Sequence, residues 1–384
     1  MNPSILWHTA SDQVAMDAAI LQEGLDSLMR GVAEGRHAGA QLYASRYGRP
    51  VVEFACGEAA PGRAMTPDTL TAWFSASKPL TAMGIALAVD RGQLDLDDPV
   101  RRYLPEFGAG KEACTIRHVL THQGGFTNSI SHSDTRSWDE IVAAICAYPA
   151  EYAPGTRAGY HATSGWYVLA EILRRVDGRR IDRFLREEFF EPLGMRDSFL
   201  GIPPARQAEL EPRLAKVHLG QTEREHFASP EFISQFNGDA EIARVNPSGG
   251  GRGPARDLGR FYELLIAKGR WEERTLIDAR TVQLFTACHR WDLPDKTLGG
   301  APLPWGLGFC LYGNADVYTG VSRHVFGHSG MVSGVSFADP DSGLVCVTVT
   351  TGLLDPLTNA RRLREANGPV VKACRPMADG APGR

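Results

Sequence analysis

Ser75 and Lys78, three residues apart in "TAWFSASKPLTAMGIALAVDRG", are the pair in this chain whose types and spacing could do chemistry. On a helix, residues three apart share a face, so the hydroxyl and the amine can meet. A hydroxyl beside an amine that has shed its proton is a nucleophile next to its base. Such a lysine needs surroundings that disfavour the ammonium form. The serine needs nearby donors to hold the negative charge that develops on its substrate.

Pro79 follows the lysine directly. Proline is tolerated in the first turn of a helix, where backbone N–H groups have no intrahelical acceptor. It therefore predicts a helix start close to Ser75 and places the hydroxyl at the positive end of the helix dipole. The next residues, "LTAMGIALAV", are apolar nearly all round, which predicts a buried helix and a buried lysine stem. The S-x-x-K spacing occurs once in the chain. On these residues alone, a capping serine followed by a surface lysine fits as well.

The elements around this pair are read from periodicity. Residues 12–34 carry Leu21, Leu25, Leu28 and Val32 at helical spacing before Gly35. "GAQLYASRYGRPVVEFACGEA" reads as a hairpin turning at "RYGRP". Near the other end, "HVFGHSG", "VSGVSFA" and "GLVCVTVTT" are strand-like, with the turn "DPDSG" before the last. A polar helix is expected from Asn359 to Ala366. Between the ends the signals are helical: a capping-box pair at Ser137 and Glu140, an apolar face of Trp166, Leu169, Leu173 and Val176 before Gly178, and "ARDLGRFYELLIAKG".

Strands at both termini and helices between them predict an α/β (α+β) architecture: a central antiparallel sheet flanked by terminal helices, with an inserted, mostly helical region. The expected division is 1–70 with 250–375 for the sheet domain, 71–249 for the helical domain and 376–384 for a flexible tail. The junction of two such regions is a favoured place for a cleft.

Composition narrows the function classes. With 43% hydrophobic and 22% charged residues and a net charge of −4, the 384-residue chain lacks the basic excess that nucleic-acid binding needs. The first basic residue is Arg30, so no export leader is expected, and the longest apolar run is too short to span a membrane. Cys56, Cys114, Cys146, Cys288, Cys310, Cys346 and Cys374 have no metal-binding spacing and are expected as buried free thiols in a reducing cytoplasm. Neither a metal nor an organic cofactor is expected. The G-x-S-x-G, H-E-x-x-H, P-loop and G-x-G-x-x-G patterns are absent.

Read together, "FSASKPLTAMGIALAVDRGQLDLDDPVRRYLPEF", "TIRHVLTHQGGF", "PGTRAGYHATSGWYVLAEILRRVDGR", "EPLGM", "PSGGGRGPARDLGRFYELL" and "FGHSGM" resemble the serine β-lactamase and penicillin-binding-protein superfamily. Their order and wording are most similar to the class-C-β-lactamase-like esterases, over about residues 20–355. The resemblance implies that Ser75 is the acylated nucleophile and Lys78 the group that assists its deprotonation. It implies that Tyr160, in the position of the family's Y-x-N tyrosine, is their acid–base partner, a role that needs cationic neighbours to lower the phenol's pKa. His328, Ser329 and Gly330 match the K-T-G strand, so the backbone N–H groups of Ser75 and Met331 would form the oxyanion hole. Gly330, lacking a side chain, would let a substrate carbonyl approach.

Two positions depart from the family pattern: Ala162 replaces the Asn of Y-x-N, and His328 replaces the Lys of K-T-G. A largely neutral imidazole is a poor anchor for a carboxylate, which argues against β-lactam or D-Ala-D-Ala substrates. Two readings stand for His161, lining the pocket or a structural role, and two for Trp305, an acyl-pocket wall or a buried aromatic; His122 is expected to fix a loop by hydrogen bonding, and Arg252 and Arg256 to form ion pairs.

The expected function is serine-dependent acyl transfer through an acyl-enzyme on Ser75, from a small-molecule ester or amide to water, as an intracellular carboxylesterase. The alternative is a transacylase passing the group to an amine or alcohol in natural-product biosynthesis. A non-catalytic binding module is the remaining rival. Oligomeric state is not readable from the sequence.

Overall fold

A short strand that the hydrophobic pattern does not announce, β1 (Ser4–Trp7), opens the chain and pairs with the outer arm of the expected hairpin. In this computed structural model, which describes residues 2–127, 129–130, 136–312 and 319–376, the hairpin is β2 (Gly39–Arg46) and β3 (Arg49–Ala60). It turns through Tyr47 and Gly48, both with positive φ. The proposed tail 376–384 lies outside the described residues except for Pro376.

The helix expected from residue 12 starts later. Ser11–Val14 form a separate 3-10 turn that ends at Ala15 in left-handed backbone, and α1 (Ala18–Ala33) begins where Asp17 accepts from the N–H groups of Ala19 and Ile20. That side chain satisfies two of the orphan donors of the first turn.

The C-terminal part supplies β4 (Cys310–Leu311), β5 (Phe326–Gly330), β6 (Gly334–Asp339) and β7 (Leu344–Thr350). All pairings in the main sheet are antiparallel, in the order β1-β3-β2-β7-β6-β5-β4, with the short strand Arg63–Ala64 added to β3. The two chain ends meet at β2 and β7, where Tyr43 lies opposite Val347. All seven residues of β7 are buried because helices cover both faces. The terminal helix packs on one face beside α1, and the helix of "ARDLGRFYELLIAKG" packs on the other.

Three further helices matter for the site: α2 (Lys78–Asp90), α3 (Ser164–Asp177) and α4 (Ala255–Ile266). The terminal helix α5 runs Pro356–Lys372, more than a turn longer at its C-terminal end than the polar stretch suggests, and its side chains Arg362, Leu363, Ala366 and Val370 are buried. Asp355 caps it by accepting from Leu357 and Thr358. Gly178 ends α3 in left-handed backbone, and Ser137 and Glu140 form the expected capping box on Trp138–Ala147.

All seven cysteines are free, but Cys288 is exposed and Cys374 half-buried, so the expectation of buried thiols fails at those two. Arg256 pairs with Glu53 at 3.1 Å and with Asp68. Arg252 differs from expectation: its guanidinium lies 4.6 Å from the Phe236 ring centroid and donates to Phe236 O. Among the described residues no helix is long and apolar enough to cross a membrane.

Candidate active site

The nucleophile candidate sits in a 3-10 turn, Phe74–Ser77, that runs straight into α2. The helix therefore starts within one turn of Ser75, with Pro79 in its first positions, as the proline requires. Every residue of α2 from Lys78 to Ala88 is buried, so its lysine enters the interior with it.

Lys78 Nζ lies 2.9 Å from Ser75 Oγ and 2.9 Å from the carbonyl oxygen of Ser248. The side chain is 0% exposed, and burial pushes its pKa well below the usual lysine value. A neutral amine donates one N–H to Ser248 O and offers its lone pair to the Ser75 hydroxyl. This is the arrangement a general base needs.

The Ser248 carbonyl is itself aimed. Asn246 Oδ1 accepts from Ser248 N at 2.9 Å and from Ser248 Oγ at 2.7 Å. The same loop is tied to α2 by Thr81 Oγ1, which donates to Pro247 O, and by Gly251 N, which donates to Ser77 Oγ. Asn246 and Ser248 were not singled out from the sequence. The "PSGGG" run was visible there, but nothing local shows that its carbonyl faces a lysine 170 residues away.

Tyr160 stands across Ser75, hydrogen-bonded to it, with its ring centroid 5.2 Å from Lys78 Nζ. The expected lowering of its pKa is not what the site produces. Burial pushes the phenol up, the hydrogen bond to Ser75 only partly opposing it, so Tyr160 carries its proton at neutral pH.

Strand β5 runs against the 74–77 turn and brings Gly330 and Met331 to Ser75. Gly330 lines the cleft and also has a packing reason to lack a side chain. A Cβ there would lie 2.6 Å from the Trp73 carbonyl oxygen and 3.5 Å from Phe74 Cβ, so the glycine lets two backbone segments approach each other. His328, 3% exposed, donates Nδ1–H to Ser329 O at 2.8 Å, and burial, then the charge of Lys78, pushes its pKa down to about 3. It is a neutral imidazole.

These groups open onto a cleft of about 550 Å³ lined by Ser75, Tyr160, Ala162, Trp305, His328, Ser329, Gly330 and Met331 among others, and among the described residues its wall holds no Asp, Glu, Lys or Arg. Trp305, itself buried, forms part of the wall. His161 does not. It is fully buried, accepts from Phe126 N at 3.4 Å, and donates its backbone N–H to His122 Nδ1 at 3.0 Å. His122 in turn fixes this loop, accepting on its backbone carbonyl from Gly159 N. On the far side of Ser75 a smaller recess, about 40 Å³, shares Ser75, Ala162 and Met331 and is floored by Phe74, Phe232 and Phe236. Glu241 and Asn246 lie at its edge, and Glu241 pairs with Arg244 at 2.8 Å.

The Beta-lactamase family profile matches residues 21–367. The esterase/beta-lactamase LipL of Mycobacterium tuberculosis is 30% identical over 348 residues, 84% of this chain and 79% of that protein. Esterase EstB of Burkholderia gladioli is 28% identical over 399 aligned positions, 91% of this chain and 96% of its own. Among solved structures, a penicillin-binding-protein homologue from Caulobacter crescentus superposes with a TM-score of 0.80 at 29% identity, covering 95% of this chain and all of the other.

Proposed function

The chain belongs to the Beta-lactamase family and is an enzyme of the serine hydrolase or acyltransferase class, and we propose that it is a carboxylesterase acting on uncharged esters through an acyl-enzyme on Ser75. The observation that carries this reading is the fully buried Lys78, its pKa pushed well below the usual lysine value, with Nζ 2.9 Å from Ser75 Oγ at the edge of a cleft whose described lining residues include no Asp, Glu, Lys or Arg.

In the proposed cycle Ser75 Oγ attacks the ester carbonyl and its proton passes to Lys78 Nζ. The oxyanion is held by the backbone N–H groups of Ser75 and Met331. When the intermediate collapses, the carbon–oxygen bond to the alcohol breaks and the leaving oxygen takes a proton from Tyr160, which recovers one from Lys78. Water then repeats the sequence and regenerates Ser75.

The proton donor must lie beside the leaving oxygen. Tyr160 lines the large cleft and not the small recess, so the alcohol portion occupies the large cleft. The acyl group then faces the recess floored by phenylalanines, whose size suits a short chain. A carboxylate-bearing substrate would meet no cation among the described residues of this wall, since His328 stays neutral. This supports esters over β-lactams or peptides ending in D-alanine.

The test is hydrolysis of short-chain nitrophenyl esters. Ser75→Ala should abolish turnover, Lys78→Ala should lose most of it, and Tyr160→Phe should lose most of kcat because the Ser75 oxygen takes its proton from Tyr160 in deacylation. Full activity in Ser75→Ala would refute the mechanism. Partition of the trapped acyl-enzyme between water and a panel of amines and alcohols separates esterase from transacylase: product formed with only one acceptor would overturn the esterase reading.

A further inference from the structure

Behind the cleft wall lies a buried ion pair that no motif announced. Arg290 and Asp295 are 2% and 0% exposed, and their Nη2 and Oδ2 atoms are 3.2 Å apart. The carboxylate's other oxygen accepts the backbone N–H of Tyr160 at 3.1 Å. Thr297 completes the grip. Its Oγ1 accepts from the same Tyr160 N–H at 2.7 Å and donates to Asp295 Oδ1 at 2.7 Å.

Arg290 holds the opposite side. Its Nη1 donates to Thr121 O at 2.9 Å, next to His122, whose ring centroid is 4.7 Å from that of Tyr160. Its guanidinium lies 5.4 Å from the Trp305 ring centroid, and Arg290 and Trp305 exchange backbone hydrogen bonds. One ion pair thus fixes the phenol's backbone, the histidine loop behind it and the tryptophan beside it. Burying two charges is expensive and is offset only by satisfied hydrogen bonds, so such a pair holds its neighbours in one geometry or costs heavily.

We infer that Asp295, braced by Arg290, is a positioning residue that sets where the Tyr160 hydroxyl stands for proton transfer to the leaving group. The inference rests on the reading of Tyr160 as that proton donor. An Asn at 295 has one oxygen where the carboxylate has two. If that oxygen turns to Arg290, the Tyr160 N–H faces an NH₂ group and loses an acceptor.

The experiment compares two esters with the same acyl group, one of nitrophenol and one of a simple alkyl alcohol. A nitrophenolate leaves without protonation, whereas an alkoxide does not. Rates are taken per active site titrated with a fluorophosphonate, so a smaller folded fraction cancels. Asp295→Asn should lower kcat/KM about tenfold or more on the alkyl ester and no more than about threefold on the nitrophenyl ester. Thr297→Val, at an exposed position, should show the same bias more weakly if Asp295→Asn fails to fold.

Tyr160→Phe calibrates the comparison. Selective loss in Tyr160→Phe with equal loss on both esters in the Asp295 variant, or in Thr297→Val should that variant not fold, would overturn the inference alone. Equal loss on both esters in Tyr160→Phe would overturn the proton-donor reading and the inference with it.

Discussion

Phe74 and Val332 both hold left-handed backbone, with φ of 49° and 36°, and each adjoins a residue that lines the cleft: Phe74 immediately precedes Ser75, and Val332 immediately follows Met331. Left-handed backbone is strained for any side chain and most for a β-branched one. Each strained residue is clamped. Phe74 stacks on Phe236 at 4.6 Å, and the Val332 carbonyl accepts from the buried Arg362 at 2.9 Å.

Val332→Gly relieves the strain but frees the backbone beside the Met331 amide. Stability should stay within about 1 kcal/mol of the parent, because relief of strain and the entropy of glycine oppose each other. The esterase kcat should still fall severalfold. Thermal unfolding and steady-state kinetics check this, and a large loss of Tm with unchanged kcat would contradict it.

Gly330→Ala drives a methyl group against the Trp73 carbonyl oxygen, 2.6 Å from the built Cβ position. Backbone cannot yield there as a side-chain tip can, so a cost of about 2–3 kcal/mol is expected. The Ser75 and Met331 amides are pushed apart, so kcat should fall while fluorophosphonate labelling of Ser75 slows in parallel. Denaturant titration together with the labelling rate decides it.

The pH dependence follows from Lys78. Its folded pKa lies well below the usual value near 10.5, so between those two values the unfolded chain binds a proton that the folded one does not. Stability therefore rises with pH across that window, by at most about 1.4 kcal/mol per pH unit for one group. Lys78→Met should flatten this slope between neutral pH and pH 9. An unchanged slope would mean that Lys78 is ionised in the fold. Activity should rise with pH through the same depressed pKa, as the amine becomes neutral, with Tyr160 still protonated because burial holds its pKa high.

Asn246→Ala removes the oxygen that holds Ser248 N and Oγ, and with it the aim of the carbonyl that orients Lys78. A destabilisation of about 1 kcal/mol is expected for the lost hydrogen bonds, with a loss in kcat larger than any change in KM. A pure KM effect would assign Asn246 to substrate contact through the recess it borders.

Local signals made part of this molecule legible. The spacing of Ser75 and Lys78, the proline after them and the apolar run of α2 are consecutive in the chain, and the structure brings the two groups to hydrogen-bond distance on a buried helix. Alternating and branched residues gave the hairpin and the C-terminal strands for the same reason. The start of α1 was misread because its apolar period extends backward past Asp17, while the chain breaks at the left-handed Ala15.

Which histidine meets the cleft was not legible. His161 follows Tyr160 directly, but neighbouring residues project to different sides, and its ring packs T-shaped against Phe126 behind the wall. Tyr160's protonation state also lies outside the sequence, because it is set by burial against segments distant in the chain.

The sequence by itself determined the elements, the S-x-x-K pair and the antiparallel sheet built from both ends, since hydrophobic period, capping residues and a proline act within a few residues. Only the tertiary structure decided the rest: that Ser248 O and Ser75 Oγ share one buried amine, that Gly330 makes room for Trp73, and that Asp295 holds Tyr160. Those relations join residues tens to hundreds of positions apart. They exist only once packing has excluded water and made each unpaired polar group costly.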